Sequence, residues 1–177
     1  MKFFRLSDNA VIPKFATEYS ACFDLHAALD PKIGILGYTI DNEKVTAYPN
    51  LDNKFVIEPY HRYLIPVDLI VDIDIGYEMK IYARSGLSLK QGLVLGNQTG
   101  VIDADYVDPL YVMLINISNK SIVINNHDRI AQAQFIKLYK DRTLEETLVK
   151  PEKKSSRSGG LGSTGVQKEV AQNKIEC

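Results

Sequence analysis

The chain has few cysteines, almost no net charge and no long apolar run, and each shortage removes a class of protein. Its two cysteines, Cys22 and Cys177, stand far apart. That spacing builds neither a disulfide framework nor a metal site, so a reducing compartment is the default reading. Lys and Arg (21) balance Asp and Glu (22), leaving a formal net charge of -1, so no overall basic field is available to hold a nucleic acid. A phosphorylated small molecule stays open, because phosphate needs only a few local cations and amides. No apolar stretch approaches the ~18 residues of a membrane span. The opening Met1, Lys2, Phe3, Phe4, Arg5, Leu6 lacks the length of a secretory leader. The expectation is a soluble, intracellular protein, cytoplasmic by default, with neither nucleic acid nor membrane as partner. No internal repeat is present.

What is there suits one ordinary globular domain with a sizeable core: 177 residues, 45% of them hydrophobic. Strand signals dominate to about Tyr139. Segments 54–58, 62–65, 69–73, 78–83, 110–116, 121–124 and 129–138 are rich in Val, Ile, Leu and Tyr and are bounded by Gly, Pro, Asn and Asp. Short strands at this spacing predict an all-β sandwich or barrel such as a jelly roll. Residues 87–91 form the one short helix predicted, ending before Gly92; 143–149 reads as strand or loop. Residues 32–53 look like an insertion, with a second hairpin turning around Asp41, Asn42 and Glu43. It is either a surface excursion or a partner-binding or subunit-contact feature. Composition changes after Lys150, where Pro151–Lys154 is charged and 155–165 is mostly Ser and Gly. Such a stretch cannot bury enough surface to hold itself folded, so a domain at 1–150 and a flexible arm at 151–177 are predicted. The arm is a floppy tail or a flap that orders over a ligand.

The densest chemistry lies at 96–106, where Gly96, Asn97, Gly100, Asp103, Asp105 and Tyr106 fall within eleven residues. Apolar stretches at 93–95 and 110–115 flank it, which reads as a hairpin. Asn97 offers a donor and an acceptor to the edge of a flat ligand, yet Gly-Asn is also a common turn pair. Asp105 shares a face with Asp103 if strand continues through both, and is read as structural. Four further segments carry similar density: 16–25 ending in Cys22-Phe23-Asp24-Leu25, Ala83-Arg84-Ser85-Gly86-Leu87, Asn126-His127-Asp128-Arg129-Ile130-Ala131-Gln132, and Arg157-Ser158-Gly159-Gly160-Leu161-Gly162-Ser163-Thr164-Gly165.

In order, these five segments resemble the five motifs of the trimeric dUTPases. The resemblance implies a distorted jelly-roll or β-barrel subunit in a homotrimer with three shared active sites. It implies dUTP as substrate, hydrolysed to dUMP and pyrophosphate. It assigns Asp103 as the carboxylate that activates water and Tyr106 as the ring against the deoxyribose. Asn97 and the backbone of Gly100, Val101 and Ile102 would read the uracil. Arg84, Ser85, Gly86, Arg129 and Gln132 would hold phosphates. From the arm, Arg157, Leu161, Gly162, Ser163 and Thr164 would close over the nucleotide. Mg²⁺ is implied on the triphosphate, with Asp24 holding one of its waters; Asp24 also reads as a strand-end carboxylate in a turn or salt bridge. Four departures from the family pattern stand out: Leu161 in place of an aromatic, Val107-Asp108-Pro109 after the tyrosine, His127 in place of glycine, and Cys22-Phe23 in place of Gly-Tyr. Two alternatives remain: a dCTP deaminase-like enzyme of the same fold, and a nucleotide-gated regulatory protein using the 32–53 insert.

Overall fold

Alternation of buried and outward side chains organises the chain into strands. The structure, a computed structural model, describes residues 1–139 and 143–156. The elements in order are β1 (Lys2–Arg5), β2 (Phe23–His26), β3 (Ile35–Tyr38), β4 (Lys44–Ala47), β5 (Lys54–Ile57), β6 (Arg62–Pro66), β7 (Leu69–Asp72), β8 (Tyr77–Tyr82), α1 (Ser85–Gln91), β9 (Leu93–Leu95), β10 (Thr99–Ile102), β11 (Tyr111–Asn116), β12 (Ile122–Asn125) and β13 (Arg129–Lys137). This matches the predicted all-β class with one short helix, which ends where Gly92 takes φ 71°. The chain divides into two compact units, Met1–Lys140 and Asp141–Cys177. In the second unit the described residues form neither strand nor helix.

Two main sheets build the first unit, one in the order β10-β8-β13-β2 and one in the order β4-β3-β6-β11-β9; the pairs β1-β7 and β12-β5 stand beside them. The inner faces of both sheets join one core, with Leu25, Met79, Ile81 and Ala133 from the first and Ile35, Tyr63, Ile65, Val112 and Leu114 from the second. Burial follows the two-residue period in β6 and β11, which share one register from Tyr111 opposite Pro66 to Ile115 opposite Arg62. Asn116 is the one fully buried polar side chain among the described residues. It donates to the Ile57 and Lys120 carbonyls at 2.9 and 2.7 Å and accepts from Ser118, so its polar atoms are satisfied.

The 32–53 segment does form a hairpin, and it belongs to the five-stranded sheet. β3 pairs with β4 on one side and with β6 on the other, where Gly37 faces Tyr63. A Cβ on Gly37 would sit 2.2 Å from the Tyr63 ring, so only glycine lets that ring lie in the core. The Arg62 guanidinium lies 4.9 Å over the Tyr38 ring and its side chain also bonds Asn42, tying the hairpin turn to β6.

Candidate active site

Cross-strand register gathers the phosphate-type residues at one end of the four-stranded sheet. Gln132 of β13 lies opposite Asp24 of β2 on one side and Tyr82 of β8 on the other. Arg129 opens β13, just before a break in register, and Arg84 follows β8 at the start of α1. Both arginines converge on Asp24: Arg84 Nε is 3.0 Å from Oδ1 and Arg129 Nη1 is 3.2 Å from Oδ2. Arg84 Nη1 also donates to the Arg129 carbonyl at 2.9 Å. Each guanidinium keeps further N–H donors free of these partners, the fork geometry that suits phosphate. Gln132 Nε2 donates to the Ala83 carbonyl at 3.0 Å, which anchors the residue before Arg84.

A groove of about 530 Å³ opens here, lined by Ala16, Ser20, Cys22, Asp24, Arg84, Ser85, Gly86 and Gln132. Ser85 and Gly86 are exposed, and a Cβ on Gly86 would meet nothing within 4 Å. The chain alone therefore does not require glycine at 86, in contrast to Gly37. Burial, helped by the Asp24 carboxylate, pushes the Cys22 thiol up and keeps it protonated.

His26 was missed by sequence reasoning. It shares the outward face of β2 with Asp24 and lies opposite Arg129. Burial, reinforced by Arg129, His127 and Arg84 against the opposing pull of Asp24, holds its imidazole below the ordinary value. Its Nδ1 is buried with no hydrogen-bond partner in the described structure. Period-two spacing from Asp24 was the available signal.

The nucleoside-type segment is a hairpin with a diversion. β9 and β11 pair antiparallel, from Leu95 opposite Leu114 to Asn116 opposite Leu93. Between them the chain turns at Gly96, Asn97 and Gln98, where the Gln98 amide bonds the Leu95 carbonyl at 3.2 Å. It then crosses to the other sheet as β10, an edge strand paired only to β8. One side of the β10 backbone thus keeps N–H and C=O groups free of a ladder. That is the kind of edge that Gly100, Val101 and Ile102 need to read a base. β10 ends at Ile102, so Asp103 and Asp105 lie in a turn closed by the Tyr106 amide on the Asp103 carbonyl at 3.1 Å, and do not share a strand face. Both carboxylates are exposed, and neither side chain makes a hydrogen bond or ion pair among the described residues. The Tyr106 hydroxyl donates to the Pro109 carbonyl at 3.0 Å, and burial, then Asp108 and Tyr111, push its phenol up.

The register also separates two groups of candidate residues. Ile102 lies opposite Met79 and Thr99 opposite Tyr82. Asp103 therefore follows one end of the β8 register and Arg84 follows the other, some six residue steps or roughly 20 Å apart along a strand.

Two departures acquire a reason. His127 takes φ 66°, the left-handed region that glycine enters freely, and its Nε2 sits 3.0 and 2.9 Å from the carbonyl and side-chain oxygens of Asn9. Asp108 takes no positive φ, in line with a position that does not demand glycine. The arm residues Arg157, Leu161, Gly162, Ser163 and Thr164 lie outside the described residues.

The dUTPase family model matches residues 50–165 of this chain. The chain belongs to the dUTPase family. A deoxyuridine 5'-triphosphate nucleotidohydrolase of Helicobacter pylori (strain P12) is 35% identical over 95% of this chain and 98% of its own length. That of Dinoroseobacter shibae is 38% identical over 90% of this chain and 91% of its own. Among solved structures, Staphylococcus bacteriophage 80alpha dUTPase with dUPNHPP has a TM-score of 0.72 at 23% identity, over 93% of this chain and 98% of that one. A mutant dUTPase of phage phi11 of S. aureus has a TM-score of 0.66 at 21% identity over 85% and 98%, and its structure describes coordination of a structural Mg(II) ion. These likenesses show that the dUTPase fold is shared. No helix among the described residues is long and apolar enough to cross a membrane.

Proposed function

We infer that this protein hydrolyses dUTP to dUMP and pyrophosphate, which keeps uracil out of DNA and supplies dUMP for thymidylate synthesis. The observation that carries the reading is the convergence of Arg84 and Arg129 on one carboxylate beside Ser85, Gly86 and Gln132, in a member of the dUTPase family. Asp103 orients a water and takes its proton as the oxygen attacks the α-phosphorus. The bond from that phosphorus to the bridging oxygen breaks, and pyrophosphate leaves. Arg84 and Arg129 neutralise the charge that builds on the phosphates. Asn97 and the free edge of β10 pair with uracil, and the ring of Tyr106, held at its hydroxyl by Pro109, lies against the deoxyribose. The arm at 151–177 brings Arg157, Leu161, Gly162, Ser163 and Thr164 over the nucleotide and excludes water.

Among the described residues no three metal-ligating side chains cluster. The donor set fits Mg²⁺ carried on substrate oxygens and waters, with Asp24 as the one carboxylate at hand for a metal-bound water. Such an ion would neutralise triphosphate charge.

The enzyme works as a homotrimer whose sites combine Asp103 of one chain with Arg84 and Arg129 of another. The roughly 20 Å between these groups along one chain supports this. So does the outward face of the five-stranded sheet, where Leu36, Leu64, Met113 and Ile115 stand at positions that are polar in a solvated sheet. A groove of about 370 Å³ lined by Leu6, Ile33, Leu64, Pro66 and Tyr111 continues that apolar face.

The direct test is pyrophosphate release from dUTP, with dTTP, dCTP and UTP alongside, for the wild type and Asp103→Asn. Release from dUTP alone, reduced by about 10²–10⁴ in the variant with the fold intact, is the expected result. Ammonia release from dCTP would favour a deaminase and overturn the assignment.

A further inference from the structure

Asp24 presents a difficulty for a phosphate site, since it places a negative charge where an anion must bind. Its side chain is only 19% exposed and each of its oxygens is used: Oδ1 by Arg84 at 3.0 Å, Oδ2 by Arg129 at 3.2 Å. Two oxygens of one carboxylate, held by two guanidiniums, copy the way two phosphate oxygens would be held. The same carboxylate lines the groove that Arg84, Ser85 and Gly86 share. Without Asp24 the two guanidiniums, linked to each other only through the Arg84 bond to the Arg129 carbonyl, would face like charge across a groove wall.

We propose that Asp24 is a built-in stand-in for phosphate: it occupies Arg84 and Arg129 in the substrate-free protein and is displaced from them by the incoming triphosphate. This rests on the phosphate role given above to the two arginines. The exchange has three consequences. It keeps the arginines charge-compensated and close together while the site is empty. It lowers affinity for simple anions such as pyrophosphate, because each must displace a carboxylate that then stays nearby with its charge unpaired. It also helps product leave, because Asp24 recaptures the arginines as pyrophosphate departs. Discrimination follows, since a nucleoside triphosphate adds base and sugar contacts that pyrophosphate alone lacks.

The test is calorimetric titration of the full chain with pyrophosphate, with chelator present and no added metal, for the wild type, Asp24→Asn and Asp24→Glu. If Asp24 competes, Asp24→Asn binds pyrophosphate more tightly, on the order of tenfold, and Asp24→Glu, which keeps the charge, stays close to wild type. Equal or weaker binding by Asp24→Asn means that Asp24 serves only to order the arginines, and the proposal is wrong. Should Asp24→Asn fail to fold, a wild-type crystal soaked in pyrophosphate decides. The Asp24–Arg84 contact is then expected to be broken, and an intact contact beside bound pyrophosphate overturns the idea. Wild-type hydrolysis of dUTP is scored separately, so a dUTPase whose Asp24→Asn variant binds pyrophosphate no more tightly refutes this inference alone.

Discussion

His26 gives the residue-scale account a pH signature. Burial comes first among the causes that hold its imidazole below the ordinary 6.5, with Arg129, His127 and Arg84 adding to it and Asp24 opposing. The unfolded chain takes up the proton near 6.5 and the folded one only at lower pH, so the unfolded state binds more protons between the two values. Stability attributable to His26 is therefore constant above the unfolded value and declines as pH falls below it toward the folded value. Replacing His26 with Asn is expected to flatten that decline, so that the urea midpoint drops less between about pH 7 and pH 5 than in the wild type. A variant whose midpoint falls as steeply as the wild type's would show that other groups carry the acid sensitivity. At this scale the sequence offered candidates through its resemblance to a family, whose motif order picks out Arg84, Asp103, Tyr106 and Arg129. What was not legible depends on register. The double engagement of Asp24 and the position of His26 opposite Arg129 arise only once β2 pairs with β13. His127 does lie exposed in a turn, and only the fold shows its φ of 66° and its bonds to Asn9.

At the scale of elements, the insert changes character. A hairpin around residues 41–43 could be read from turn residues and β-branched neighbours, but its docking on β6 could not, because that pairing is non-local. The consequence is practical. Deleting 32–53 removes two strands from a sheet, so loss of a partner after deletion would say little about recognition. Any protein contact of this hairpin is better probed by single substitutions at exposed positions such as Ile40 or Thr46. Gly37 measures how firmly the hairpin is joined. With a Cβ placed 2.2 Å from the Tyr63 ring, Gly37→Ala forces either the ring or β3 to move. It is expected to cost about 1–3 kcal/mol in denaturant unfolding. A Gly37→Ala protein as stable as the wild type would mean that β3 can leave the sheet freely. β10 escaped the sequence reading for a related reason. Its Thr-Gly-Val-Ile run lacks clean alternation, and it leaves the β9–β11 hairpin to join another sheet.

The whole molecule has its chemistry divided between two ends of one strand register. Asp103 follows Ile102, which lies opposite Met79, and Arg84 lies beyond Tyr82 at the other end of the shared register, so the mechanism proposed above has chains lend groups to one another. An apolar outward face on the five-stranded sheet supplies a surface for that association. The decisive measurement is complementation: pyrophosphate release from dUTP by chains of Asp103→Asn and Arg84→Gln, each inactive alone, after co-refolding in equal amounts. Sites that combine Asp103 from one chain with Arg84 from another predict recovery to about a quarter of wild-type activity, the fraction of randomly assembled sites with both groups intact. A mixture that stays as inactive as its parents, although its chains demonstrably exchange, would place both groups on one chain and contradict the account.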